Sequence, residues 1–114
     1  MPSWINWGNV IVAFTALDKL PEFPGGMQKL YNYIGNTFEK PEIDGLSTIK
    51  INVSFVIEKD GSMTDIQVRR DPGYGLRKEA IRVLKSLITK WTPGMVNSKP
   101  VRTSYNLPIT VQMN

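Results

Sequence analysis

Cysteine and histidine are both absent from this 114-residue chain. Their absence excludes disulfides, the usual structural zinc sites, thiol nucleophiles and Ser-His-Asp triads in one step. Asp, Glu, Lys, Tyr, Ser and Thr remain for chemistry, and no paired general acid and base or oriented nucleophile stands out among them. The expectation is therefore a protein that is not an enzyme, with no catalytic residue, no metal ligand and no cofactor. Glu58, Asp60 and Asp65 lack the spacing of a calcium loop and read as turn and strand-surface carboxylates. A long apolar run is also missing. The stretch from Trp4 to Leu17 is interrupted by Asn6 and Asn9 and has no basic leader, so it is too short and too polar to span a bilayer. No membrane anchor is expected within the chain.

With 41% hydrophobic and 21% charged residues and no low-complexity tract, the composition is that of a packed globule. Its length suits one domain, because two cores of half this size would each bury too little. The formal net charge of +4 is too small to argue for nucleic acid. Lys78, Arg82, Lys85 and Thr89 line the polar side of a helix and read as a solvated face, with no interleaved aromatics for stacking on bases.

Val10 to Phe14 form a short apolar run, a strand or a buried helical turn. Trp4 and Trp7 in the same extension either pack across the sheet or stand as exposed partner contacts. Pro21-Glu22-Phe23-Pro24-Gly25-Gly26 is a loop, after which Met27, Leu30, Tyr31, Ile34 and Phe38 share one face of a helix expected over Met27 to Phe38. A loop from Lys40 to Ser47, marked by Pro41 and Asp44-Gly45, leads to strict alternation at Ile49, Ile51, Val53, Phe55 and Ile57. Asp60-Gly61 turns the chain into a second strand with Thr64, Ile66 and Val68 on one face. After Asp71-Pro72-Gly73, a helix is expected from Leu76 to Lys90, its stripe of Leu76, Ala80, Val83, Leu84, Leu87 and Trp91 widened by Ile81 and Ile88 and stopped by Pro93-Gly94. Val101, Thr103, Tyr105, Leu107, Ile109 and Val111 form the apolar face of a last strand.

These elements predict an α+β fold, a small antiparallel sheet of about three strands packed on two helices in the order helix-strand-strand-helix-strand, with room for an extra N-terminal strand. Residues 1–19 form an extension or that strand, and 20–114 the domain. The first hairpin strand, the most apolar, belongs in the centre, which leaves the last strand at an edge. Pro108 marks either a strand end or bulge, or a position whose missing N–H faces no neighbour, and the alternation continued by Ile109, Thr110 and Val111 favours the second. Arg102, Ser104, Asn106 and Thr110 then share its outward direction. An open edge is a template for strand addition, so the expected peptide-binding residues are Val101, Arg102, Ser104, Tyr105, Asn106 and Leu107. The same edge predicts homodimers through paired last strands.

From Leu20 to Met113 the chain resembles the C-terminal domain of the TonB energy-transducer family. The resemblance rests on Pro21 to Gly26 before the first helix, Phe55-Val56-Ile57-Glu58-Lys59-Asp60-Gly61-Ser62 at the hairpin, Lys78 to Val83 on the second helix, Trp91-Thr92-Pro93-Gly94, Asn97 to Arg102, and Leu107-Pro108-Ile109. It implies a noncatalytic periplasmic module, tethered to the inner membrane in the full-length protein. The module grips the TonB-box peptide of a TonB-dependent outer-membrane receptor and couples inner-membrane energy to outer-membrane transport. The chain shows no tether of its own, so it is expected to be a piece of a longer protein or a stand-alone envelope interaction or scaffold module.

Overall fold

The structure, a computed structural model, describes residues 8–40, 45, 48–70 and 73–112. Trp4, Trp7, Pro41, Asp44, Asp71, Pro72 and Met113 lie outside them. In chain order the elements are β1 (Ile11–Val12), a 3-10 turn (Phe14–Ala16), α1 (Met27–Thr37), β2 (Thr48–Ile57), β3 (Met63–Val68), α2 (Leu76–Ser86), β4 (Met95–Val96), β5 (Lys99–Pro100) and β6 (Arg102–Gln112). The expected helix-strand-strand-helix-strand order is present, and the N-terminal apolar run supplies the extra strand.

The main sheet has the order β1-β6-β2-β3, and β4 with β5 makes a separate small hairpin. Central β2 is antiparallel to both neighbours, in register with β6 from Thr48 opposite Gln112 to Ile57 opposite Thr103. β1 lies outside β6 and runs parallel to it, with Ile11 opposite Arg102 and Val12 opposite Thr103. Among the described residues the sheet is thus four-stranded and mixed, and β6 is an open edge only beyond Thr103, whereas the sequence alone suggested an edge along its whole length. The cause is apolar burial. Val12 joins Val96, Val101 and Leu17 in a small cluster, which brings the N-terminal segment against the start of β6.

Both helices cover one face of the sheet. Leu30, Ile34 and Phe38 from the first, and Leu76, Ala80, Val83 and Leu84 from the second, share a core with Ile49, Ile51, Val53, Phe55 and Ile57 of β2 and Leu107, Ile109 and Val111 of β6. The helices are tied together at the surface. Glu79 accepts the Glu39 N–H at 2.6 Å and forms an ion pair with Arg82, whose guanidinium also donates to the Thr37 carbonyl at 3.0 Å. Arg82 is therefore committed to holding α1 on α2.

α2 ends at Ser86, four residues before the expected Lys90. The Ser86 hydroxyl donates to the Val83 carbonyl and meets the Tyr33 hydroxyl, each at 2.6 Å, and the following Ile88 and Thr89 are β-branched. From Leu87 the chain is extended, so Ile88 is 93% exposed rather than part of the stripe. Extension wins because it gives Trp91 and Thr92 backbone partners. Trp91 N–H donates to the Gly61 carbonyl at 2.9 Å, and Glu22 and Thr92 exchange a pair of hydrogen bonds. The Trp91 ring reaches the core from this extended segment, between Phe23 at 5.3 Å and Phe55 at 5.8 Å.

Close approach explains Gly61. At φ +88°, a Cβ there would stand 1.9 Å from the Trp91 carbonyl oxygen. Gly61→Ala is expected to destabilise by more than the roughly 1–2 kcal/mol of a left-handed backbone penalty alone, because backbone must also move. Leu84→Ala, at a fully buried site, should cost about 2–5 kcal/mol. Equilibrium urea unfolding measures both, and a loss below about 1 kcal/mol for Leu84→Ala contradicts the core described above.

Candidate peptide-binding edge

The direction of each backbone group on β6 follows from one hydrogen bond on the far side of β2. The Asn52 carbonyl accepts the Arg69 N–H at 2.8 Å, so Asn52 bonds toward β3. Asn52 is paired across the ladder with Pro108. In an antiparallel ladder such a pair is not hydrogen-bonded, so Pro108 turns its carbonyl and its missing N–H away from β2. Tyr31 of α1 reaches over the edge and donates its hydroxyl to that carbonyl at 3.1 Å. By alternation, Ser104, Asn106 and Thr110 direct N–H and C=O outward, while Thr103, Tyr105, Leu107 and Ile109 bond toward β2.

The six residues expected to bind a peptide are placed differently from one another. Val101 is fully buried and its N–H donates to the Gly94 carbonyl at 3.0 Å. Arg102 stands opposite Ile11 of β1, and Leu107 belongs to the core. Ser104 and Asn106 carry the outward backbone groups, and Tyr105 between them adds a half-buried side chain. β1 is held at the start of the strand by side chains as well. Thr103 donates its hydroxyl to the Val12 carbonyl at 2.7 Å, and Arg102 donates to the Asn9 carbonyl at 2.6 Å.

Where β1 leaves the sheet, a groove of about 650 Å³ opens on this edge, lined by Ile11, Val12, Ala13, Phe14, Ser104, Tyr105 and Asn106. The Phe14 ring meets Tyr105 edge-on at 5.7 Å, and Tyr105 stacks on Phe55 at 5.5 Å and touches Trp91 at 4.8 Å. Burial pushes the Tyr105 phenol above its ordinary pKa, and its hydroxyl lies 3.7 Å from the Met27 sulfur. Ile11, Phe14 and Tyr31 were not singled out as site residues from sequence, although the apolar run and the helix face containing them were visible there. At the opposite edge, β3 is interrupted by a register shift and by Asp65 at φ +50°, features that blunt strand addition.

The family model for the Gram-negative bacterial TonB protein C-terminal matches residues 49–111. The chain belongs to this family. It is a family of noncatalytic periplasmic interaction domains that serve energy transduction and engage outer-membrane receptors. Comparison with curated proteins and with solved structures gives no match. The matched span runs from β2 into β6. In this TonB domain, therefore, β1, Phe14 and Tyr31, which flank the edge, lie outside it. No helix among the described residues is long and apolar enough to cross a membrane, and none of their acidic groups cluster as a metal site.

Arg102 is the one charged residue from Val101 onward. Its guanidinium forks onto Glu58, with Nε to Oε1 at 2.7 Å and a second contact at 3.2 Å, and Glu58 also accepts the Thr64 hydroxyl. The bond from Arg102 is the main cause that holds the Glu58 carboxyl below its ordinary pKa, against partial burial. Nearby Asp60, which accepts the hydroxyl and N–H of Ser62, is lowered to about 2. A carboxylate depressed in the folded state stabilises the fold above its unfolded pKa, near 4.3 for Glu, and that contribution is lost as pH falls through the folded value. Stability should therefore be flat from neutral pH to about 5 and decline below it. Glu58→Gln should flatten part of this acid limb in urea melts at successive pH values, and an unchanged limb removes the Arg102–Glu58 pair from the account.

Proposed function

We propose that this TonB C-terminal domain captures an extended segment of an outer-membrane receptor, of the TonB-box kind, by strand addition along β6. Coupling of inner-membrane energy to transport then passes through that added strand. The observation that carries the reading is the outward, uncharged backbone of Ser104 and Asn106 on a strand that ends its pairing with β1 at Thr103. Main-chain hydrogen bonds supply affinity in this mode, and pockets for alternate side chains supply selectivity. Pro108 limits the footprint, since it offers no N–H and its carbonyl is occupied by Tyr31. The footprint is therefore shorter than the Val101 to Leu107 span expected from sequence, and runs from Ser104 to Leu107. An unoccupied edge of this kind also lets a second copy of the domain pair with it at high concentration.

Asn106→Pro removes one outward donor while leaving every inward bond of β6 in place. It should weaken binding of a receptor N-terminal peptide by about 1 kcal/mol or more without loss of fold, as calorimetric titration and circular dichroism would report. Unchanged affinity in the folded variant places the peptide elsewhere. Because the footprint carries no charge, affinity should also change little between low and high salt. A steep salt dependence would point instead to the exposed lysines of α2, Lys78 and Lys85.

A further inference from the structure

The stretch of β6 open to a partner is bounded at both ends, by β1 opposite Arg102 and Thr103 and by the Tyr31 hydroxyl on Pro108. The groove lies between these limits, and its outer wall comes from the N-terminal segment. Ile11 is 47% and Phe14 38% exposed, beside an open edge where folded proteins commonly place charge. The chain itself shows what this edge accepts. β1 is an extended, β-branched pair with Val12 sunk among Val96, Val101 and Leu17 and Ile11 left on the surface. Among the described residues, no strand lies against the next stretch of the same edge.

Phe55 and Tyr105 are direct cross-strand partners with stacked rings. A strand added outside β6 would place a side chain next in that row, beside Tyr105 and against Phe14. From Thr103 to Gln112 no residue is charged, so an ionised side chain in the groove would lose water without gaining a partner. An apolar or aromatic side chain would instead extend the row of cross-strand contacts.

Resting on the strand-addition reading, we propose that Phe14 and Tyr105 form a selectivity pocket for one large apolar side chain of the bound peptide. The N-terminal segment is then part of the binding site, and Phe14 is its specificity-determining residue. The occupant is an extended peptide with a Leu- or Phe-sized residue at the position aligned with Tyr105 and no charge there.

An array of eight-residue peptides on a Thr-Ser background, with Phe, Leu, Ala, Asp or Lys as the single central residue, tests this with the whole chain as probe. The Phe and Leu peptides should bind about tenfold more tightly than the Ala peptide, the scale of one aromatic contact with its burial, and the Asp and Lys peptides should bind least. Phe14→Ala should bring Phe, Leu and Ala peptides to similar weak binding, whereas Phe14→Leu, which keeps apolar bulk, should retain the ranking. Asn106→Pro should weaken all peptides by a similar factor and preserve the ranking. A wild-type array without apolar preference, or a ranking that survives Phe14→Ala while Asn106→Pro still weakens every spot, overturns the pocket and leaves strand addition standing. An array unaffected by Asn106→Pro, or one on which no peptide binds, overturns strand addition and the pocket with it.

Discussion

β2 and β6 face each other in one uninterrupted antiparallel register, from Thr48 opposite Gln112 to Ile57 opposite Thr103. The other parts of the sheet are placed by this pairing. A slip of one residue would turn Leu107, Ile109 and Val111 out of the core and bring Asn106, Pro108 and Thr110 in, so burial makes any alternative register costly. The same register seats Pro108 where its missing N–H is not needed, aligns Tyr105 with Phe55, and turns the backbone of Ser104 and Asn106 outward. Core packing and the open edge are thus two faces of one pairing.

Trp91 joins that sheet to the rest of the molecule. It lies on extended chain after α2, with its N–H on Gly61, its neighbour Thr92 on Glu22, and its ring among Phe23, Phe55 and Tyr105. Its indole nitrogen has no hydrogen-bond partner among the described residues, so the ring is held by apolar and aromatic contact. Tyr105 is both a member of this cluster and the floor of the groove. The floor is therefore packed on the core through Phe55 and Trp91, so less side-chain ordering is left to be done when a strand binds above it. The wall at Phe14 is different, because it rests on a single turn and a two-residue strand.

The polar ties divide in the same way. Glu79 and Arg82 join α2 to the end of α1, away from the edge. Glu58 and Arg102 sit where the hairpin, β6 and the N-terminal segment converge, since Arg102 binds Glu58 and the Asn9 carbonyl together. Acidification that releases Glu58 would loosen the anchor of β1 as well as the sheet end. With its guanidinium committed there, Arg102 contributes no free charge to the edge.

Periodicity in the sequence determined which face of α1, of β6 and of α2 as far as Leu84 is buried, because the spacings of two and of three to four residues are local and apolar burial is demanding. The direction of the β6 backbone was legible for a similar reason, since proline chemistry at one position sets the parity of the whole strand. The hairpin, the central place of β2 and the family were readable on the same local grounds. The end of α2 at Ser86 was not, because the extended path is chosen by Gly61 and Glu22, which are remote in sequence. The seat of β1 depends on a cluster that Val12 forms with Val96 and Val101, and the groove exists only where that strand stops short of Ser104. Tertiary structure alone decided these points, because each depends on partners that folding brings together from opposite ends of the chain.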